Sequence, residues 1–207
     1  MYLLKSKKTI FAAAFNLLAI FSLDAYADCS TGSITTTQLS YCFVTTPSLT
    51  VTNSGSILTP TGDFSVVVHN LDLTGGITNN NIISNTNGGG GDAMWINSST
   101  INGGIVNSGA LVSGTYGIYV TDTATINGGI VNSGTGTGLG SIPAYGGGTY
   151  SIAYGIYGGW SAITIWGTVN GGILNSGTMY SNVWGIAVAG NAVINDGITN
   201  LGSITSY

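Results

Sequence analysis

The most constraining feature of this sequence is a nine-residue phrase, INGGIVNSG, which occurs in identical form at 101–109 and at 126–134. The two copies start 25 residues apart, and degenerate copies extend the pattern along the chain. Taking the Asn of each copy, the intervals are 26, 28, 25, 43 and 25 residues for the set Asn53, Asn79, Asn107, Asn132, Asn175 and Asn200. Self-similarity at a nearly fixed period predicts a repeat architecture in which each copy is one structural unit.

The residues between these Asn positions favour strands over helices. Gly is abundant with 34 copies, and the apolar positions are mostly β-branched, which lowers helix propensity. Segments such as GIYVT and SAITIW alternate at period two, as a half-buried strand does. At about 3.3 Å per strand residue, 25 residues close one coil of two or three short strands. The sequence therefore predicts an all-β fold, a parallel β-helix or β-solenoid of about six coils.

Exact copies at the coil period place equivalent residues directly above one another. Successive parallel strands lie about 4.8 Å apart, so Ile stacks on Ile in the core. The six Asn are predicted to stack at one corner as a structural ladder, each amide bonding the amide of the next coil. Gly residues are expected at the corners, where the backbone is left-handed or crowded.

The long interval of 43 residues is interpreted as a normal coil with two lengthened loops. Tyr116-Gly117-Ile118 and Trp184-Gly185-Ile186 resemble Tyr154-Gly155-Ile156 in sequence. Aligning these three predicts one insertion around 135–150 and a shorter one further on, with the glycine tract 86–92 at the same corner of an earlier coil. The alignment also predicts that Tyr116, Tyr154 and Trp184 face the core, whereas Tyr119 and Tyr157 face outward.

The N-terminus has the pattern of a secretory signal peptide. A basic start, MYLLKSKK, precedes a short apolar stretch and the small-x-small triplet Ala25-Tyr26-Ala27. Cleavage is therefore predicted between Ala27 and Asp28, which makes 1–27 the signal peptide. The apolar run is too short to span a bilayer, so the mature chain is not expected to be membrane-spanning. This interpretation predicts secretion by the Sec pathway, to the periplasm, the cell surface or the exterior.

Removal of the signal peptide takes away every cation of the chain. The three basic residues are Lys5, Lys7 and Lys8, and the seven acids are all Asp. A chain without Lys or Arg cannot neutralise phosphates, which argues against nucleic acid as a partner. No cofactor is indicated.

The two cysteines, Cys29 and Cys42, are predicted to form a disulfide. A secreted chain meets oxidising conditions, and the pair would close a small loop near the mature N-terminus. We accordingly expect 28–48 to be an N-terminal cap and 49–207 to hold the solenoid repeats.

Repeated GGIxNSGxI phrases behind a signal peptide, in a chain poor in charge and cysteine, resemble the passenger region of Gram-negative autotransporters and related surface adhesins. The resemblance covers about residues 49–207 and implies a parallel β-helix at the surface of a Gram-negative bacterium. It implies little about function, because such passengers include adhesins, aggregation factors, proteases and toxins. The membrane β-barrel that follows such passengers is absent from this sequence, which therefore reads as a fragment or truncated relative of a longer protein.

The candidate binding patch consists of aromatic residues near the predicted insertion: Tyr145, Tyr150, Tyr157 and Trp160. Exposed Tyr and Trp favour contacts with sugars or proteins. The leading hypothesis is therefore adhesion, surface contact or self-association. The expected partner is a host or bacterial surface glycan or protein, or another copy of the chain.

Three other functions are weaker on sequence grounds. A polysaccharide lyase or hydrolase needs a basic residue or clustered carboxylates, and no two acids of the mature chain are close in sequence. Neither a catalytic residue nor a metal ligand is assigned, because NGGGGDAMW at 87–95 is only a single copy of a calcium-repeat-like pattern. Ice binding by a flat Thr-rich face ranks lower because the Thr residues form no regular TxT row.

Overall fold

The chain folds into a parallel β-solenoid with about five complete turns and a repeat near 26 residues. The computed structural model describes residues 27–29, 32–47, 51–60, 62–85, 90–121, 123–135, 141–144, 148–151 and 155–207. Each complete turn contributes four short strands, one to each of four parallel sheets that run the length of the solenoid. The expected all-β solenoid is thus confirmed, with incomplete turns at both ends of the described region.

The sheets are numbered here in the order in which the chain visits them. Sheet 1 contains β2 (Ser33–Ile34), β4 (Val51–Asn53), β8 (Ile77–Asn79), β12 (Ile105–Asn107), β16 (Ile130–Asn132), β22 (Ile173–Asn175) and β26 (Ile198–Asn200). Sheet 2 contains β5 (Ser56–Thr59), β9 (Ile82–Asn85), β13 (Ala110–Ser113), β19 (Ile156–Gly158), β23 (Thr178–Ser181) and β27 (Ser203–Ser206).

The other two sheets complete each turn. Sheet 3 contains β1 (Ala27–Asp28), β3 (Cys42–Val44), β6 (Phe64–His69), β10 (Asp92–Asn97), β14 (Tyr116–Val120), β20 (Ser161–Ile165) and β24 (Trp184–Val188). Sheet 4 contains β7 (Asp72–Leu73), β11 (Thr100–Ile101), β15 (Thr125–Ile126), β21 (Thr168–Val169) and β25 (Val193–Ile194). An antiparallel hairpin of β17 (Ser141–Ala144) and β18 (Gly148–Ser151) lies outside these sheets.

The core is a set of apolar columns that run parallel to the solenoid axis. In sheet 1, Ile77, Ile105, Ile130 and Ile173 pair in register and are almost completely buried. Because every coil places an aliphatic side chain over its neighbour's, each turn buries its inner face against the next. Burial of a single Ile side chain contributes about 1.5–3 kcal/mol, and the columns repeat this along the axis.

A continuous ladder of Asn side chains runs beside these columns, as the repeat spacing predicted. The side-chain Nδ2 of each Asn donates to the Oδ1 of the equivalent Asn in the next coil, at 2.7–2.8 Å over all five steps from Asn53 to Asn200. Four of the inner members are completely buried. The ladder begins at Asn53 because Ile34 occupies the equivalent position in the preceding coil.

A second Asn ladder lies on the outside of the next corner. Each Nδ2 here donates toward the N-terminal coil, at 2.6–2.8 Å, along the series Asn195, Asn170, Asn127 and Asn102. The repeat phrase alone did not predict this ladder, although its signal is the Asn that precedes Gly-Gly in three repeats and Asp196-Gly197 in the last. The Gly-Gly corners carry the sharp turn into sheet 1, where Gly129 has φ 73° and packs against backbone atoms of the next coil.

The pairing corrects the interpretation of the long repeat. Ile156 pairs with Leu111 in sheet 2, whereas Ile163 pairs with Ile118 in sheet 3. Leu111 follows Asn107 by 4 residues and Ile156 follows Asn132 by 24, so the extra residues form one insertion between sheets 1 and 2. The tract 86–91 connects β9 in sheet 2 to β10 in sheet 3, so the two expanded loops do not share a corner.

The strands of the N-terminal segment pair with the sheets of the solenoid. β2 pairs with β4 in sheet 1, and β3 pairs with β6 in sheet 3. Cys29 and Cys42 are both fully buried, with Cα atoms 5.6 Å apart, within the range that a disulfide requires. Of the predicted signal peptide, 1–27, residues 1–26 lie outside the described residues, and the predicted cleavage site between Ala27 and Asp28 falls within β1.

Candidate binding surface

The outer face of sheet 3 carries two neighbouring rows of side chains that run along the solenoid. The first row follows the pairing of Phe64, Asp92, Tyr116, Ser161 and Trp184. The second row contains Val67, Trp95, Tyr119, Thr164 and Ala187. The five aromatic rings in these rows, together with Trp160 and Trp166 at the two ends of β20, form what we call the aromatic surface: Phe64, Trp95, Tyr116, Tyr119, Trp160, Trp166 and Trp184.

The rings in the N-terminal half of this surface contact one another across adjacent coils. Trp95 stacks on Phe64 with ring centroids 4.4 Å apart and an interplanar angle of 11°. It also lies nearly parallel to His69, at 5.6 Å. In the next coil, the rings of Tyr116 and Tyr119 are 4.8 Å apart. These contacts restrict the rings before any partner binds, so less side-chain entropy is lost on binding.

The C-terminal half of the surface exposes three indole rings. Trp184 is 51% exposed, Trp160 is 46% exposed and Trp166 is 39% exposed. Trp160 and Trp184 meet edge to face, with ring centroids 6.3 Å apart. A Trp at the surface presents a large apolar face and one N–H donor, a combination that is enriched in binding interfaces.

A buried carboxylate lies at the centre of the N-terminal half. Asp92 is 5% exposed, and its Oδ1 accepts hydrogen bonds from the Thr115 hydroxyl and from the Tyr116 backbone N–H at 3.2 Å. Burial raises the pKa of Asp92 to about 6, an effect that the two hydrogen bonds oppose and the nearby charge of Asp63 reinforces. Burial, and secondarily the charge of Asp92, also raises the pKa of Tyr116.

The predicted patch is only partly brought together. Trp160 is exposed as expected, but Tyr157 is 2% exposed and stacks on Tyr180, with centroids 5.5 Å apart. Tyr157 belongs to sheet 2, not to the outer face of sheet 3, so its inclusion in an exposed patch is wrong. Tyr150 lies in the hairpin strand β18 with a side chain outside the described part, and Tyr145 lies outside the described residues.

The predicted inward aromatic row is also wrong. Trp184 is half exposed and the Tyr116 ring packs outward on Tyr119. The reason is a break in alternation, because a Cβ on Gly117 would lie 2.4 Å from the core side chain of Ile156, while the following Ile118 is also fully buried. Two consecutive residues therefore face inward, and the Tyr that precedes them faces outward. Tyr154 lies outside the described residues.

The remaining chemistry of the described residues is sparse. They contain no Lys or Arg, since all three cations precede residue 9. Within the described ranges, no three His, Cys, Asp or Glu side chains come together as a metal site would require. No helix in the described ranges has the length and apolar character needed to cross a membrane.

Comparison with protein-family models, with curated proteins and with solved structures finds no match to this chain. The fold itself is compatible with a β-helical passenger domain. The aromatic surface is the feature of the described residues that departs most from an ordinary solvent-facing sheet.

Proposed function

We propose that this protein is a secreted or cell-surface β-solenoid, of the autotransporter-passenger type, that acts in adhesion, surface contact or self-association. The observation that supports the proposal is the aromatic surface, with three exposed indole rings: Trp184 in β24, Trp160 just before β20 and Trp166 just after it. Large exposed aromatic clusters on soluble domains mark interaction sites, since leaving them in water is unfavourable. The solenoid adds length, so several rings contact a partner at once.

The charge pattern narrows the kind of contact. Without Lys or Arg among the described residues, the surface offers no charge-assisted bonds to sulfated, phosphorylated or carboxylated partners. The contacts that remain possible are stacking on aromatic rings and hydrogen bonds from backbone groups and neutral hydroxyls. These suit uncharged glycans, apolar protein patches or a second copy of the chain.

The test compares the mature chain with the Trp160→Ala/Trp184→Ala variant. Both rings are about half exposed, so their removal should leave the fold intact. We expect binding to cells or to itself to weaken at least tenfold, the effect of about 1.4 kcal/mol, because interface Trp residues commonly contribute more than this. Leu39→Ala is the matched control, since Leu39 is 71% exposed in the N-terminal turn.

Binding is measured by adhesion of coated beads to bacterial and host cells and by sedimentation for self-association. Unchanged adhesion and unchanged sedimentation of the double variant, at equal secondary structure, would remove the support for this function. Fractionation of the native host, with recovery in the cytoplasm only, would contradict the proposed location.

A second candidate function is polysaccharide hydrolysis, which one observation favours. Asp92 combines burial among aromatic rings with a pKa of about 6, as the general acid of a glycosidase does. Reducing-end release from a polysaccharide panel, lost in Asp92→Asn, would support an enzyme. Absence of turnover by the unsubstituted chain on that panel would leave adhesion as the proposal.

A further inference from the structure

Two side chains of β20 carry hydroxyl groups that are buried without partners. Ser161 is fully buried and Thr164 is 4% exposed. Within the described part of the chain, neither Oγ of Ser161 nor Oγ1 of Thr164 has a hydrogen-bond partner. Buried polar side chains are almost always paired, so an unpaired group in a folded chain requires an explanation.

Both hydroxyls belong to the outward rows of the aromatic surface. Ser161 pairs with Tyr116 in one neighbouring strand and with Trp184 in the other. Since Tyr116 packs outward and Trp184 is exposed, this row faces away from the core.

Thr164 occupies the corresponding place in the second row. It pairs with Tyr119 and with Ala187, and its chain neighbours Ile163 and Ile165 are fully buried members of the core. Its side chain therefore points to the outer face by alternation. Two unpaired hydroxyls thus lie three residues apart on one strand, with aromatic rings in the strands before and after it.

We propose that the aromatic surface binds an extended, uncharged polysaccharide along the solenoid axis, and that the hydroxyls of Ser161 and Thr164 hydrogen-bond to its sugar hydroxyls. This inference rests on the function proposed above and specifies the ligand of the same surface. Aromatic faces stack on the apolar faces of sugar rings, and a side-chain hydroxyl both donates to and accepts from a sugar hydroxyl. Such a site needs no cation.

The geometry favours a polymer over a single sugar. The strands of sheet 3 lie about 4.8 Å apart, so the aromatic rings and the two hydroxyls of these rows follow one another along the solenoid axis over several coils. A bound sugar would give the Ser161 and Thr164 hydroxyls the hydrogen bonds that they lack in the free chain. The two unpaired hydroxyls, which lower the stability of the free chain, would therefore contribute to affinity for the polysaccharide.

The experiment uses the variant Ser161→Ala/Thr164→Val, which removes both hydroxyls with little change in shape. Affinity electrophoresis and calorimetry are run with soluble uncharged β-glucan, xylan and mannan. We expect the midpoint of thermal unfolding to stay equal or rise, because unpaired polar groups are removed, while affinity for the bound polysaccharide falls tenfold or more. Retained stability with lost binding is the signature that a merely structural role would not produce.

Thr59→Val is the matched control. The Thr59 hydroxyl is likewise buried without a partner in the described region, but it lies in sheet 2. We expect its replacement to affect stability in the same direction and to leave polysaccharide affinity unchanged.

The outcomes separate this inference from the function on which it rests. Unchanged affinity of the β20 variant, or failure of the unsubstituted chain to bind any uncharged polysaccharide, overturns the inference. If the Trp160→Ala/Trp184→Ala variant still loses cell adhesion or self-association in that case, the proposed function stands with a protein partner. If the Trp variant also behaves normally, both proposals fail.

Discussion

Replacing Asn132 by Ala is expected to be far more damaging than replacing Asn127 by Ala, although the two lie five residues apart in the same repeat copy. Asn132 is fully buried in the inner ladder. Its Nδ2 donates to Asn175 Oδ1 at 2.7 Å and to the Thr178 carbonyl at 3.3 Å, and its Oδ1 accepts from Asn107 Nδ2 at 2.8 Å.

The magnitude follows from these contacts. Three hydrogen bonds contribute about 0.5–1.5 kcal/mol each, and the substitution leaves the buried Oδ1 of Asn175 without its ladder donor, at a further cost of about 1–3 kcal/mol. Asn107 loses less, because its Nδ2 keeps a bond to the Gly155 carbonyl at 2.8 Å. The total is about 2.5–7.5 kcal/mol, a large part of the roughly 5–15 kcal/mol that stabilises a typical domain.

Asn127 supplies the control because it makes the same ladder bonds at the surface. Its Nδ2 donates to Asn102 Oδ1 at 2.7 Å and its Oδ1 accepts from Asn170 at 2.8 Å, but the side chain is exposed. Water replaces these bonds when they are lost, so Asn127→Ala should cost less than about 1 kcal/mol. Urea unfolding followed by circular dichroism, compared by midpoint and slope, measures both variants. Equal shifts of the urea midpoint for Asn132→Ala and Asn127→Ala would refute the argument that burial determines how much an Asn ladder contributes to stability.

Two further substitutions test the buried carboxylate and a corner. The pKa of Asp92 is raised from its ordinary 3.8 to about 6, so the folded state binds a proton more tightly, and the free energy of unfolding should fall by about 3 kcal/mol as pH rises from about 4 to about 6 and then level off. Asp92→Asn should abolish this pH dependence and be more stable than the unsubstituted chain at pH 7. An unchanged pH dependence of this variant in thermal melts would contradict the assignment. Gly129→Ala should destabilise the fold severely, because φ is 73° and the new Cβ would lie 2.6 Å from the Gly171 carbonyl oxygen. Gly197→Ala is the control: φ is 75° but the space around it is open, so the substitution should cost only the roughly 1–2 kcal/mol of left-handed strain. Similar losses of stability for both variants in urea unfolding would show that crowding at the corner is unimportant.

The sequence predicted correctly those parts of the fold whose residues recur identically from one repeat to the next. Asn107 and Asn132 sit at equal positions in identical phrases, and stacking at the coil period follows directly from their spacing. The alignment of Tyr154-Gly155-Ile156 with Tyr116-Gly117-Ile118 failed because three-residue similarity cannot distinguish a corner from a strand. Strand pairing is a long-range property, and it assigns Ile156 to sheet 2.

The candidate surface was harder to predict than the fold. Trp160 was identified from its position near the predicted insertion, but Trp95 and Phe64 were missed because their rows are defined only by pairing between coils. The direction of Tyr116 was predicted wrongly because Gly117 and Ile118 both face the core. A glycine that lets two successive residues turn inward interrupts the period of two on which such predictions depend.

The insertion between Asn132 and Ile156 has a consequence for how such a chain can change over time. Ile156 follows Asn132 by 24 residues, whereas its partner Leu111 follows Asn107 by 4, and Asn132 and Asn175 still bond at 2.7 Å. Each coil therefore pairs only with its two neighbours, and the corner between sheets 1 and 2 accepts extra residues without loss of register. A gene can therefore gain or lose a loop at this corner without changes in the other coils, because the inner ladder keeps the strands aligned, whereas the crowded Gly-Gly corner before sheet 1 leaves no such room.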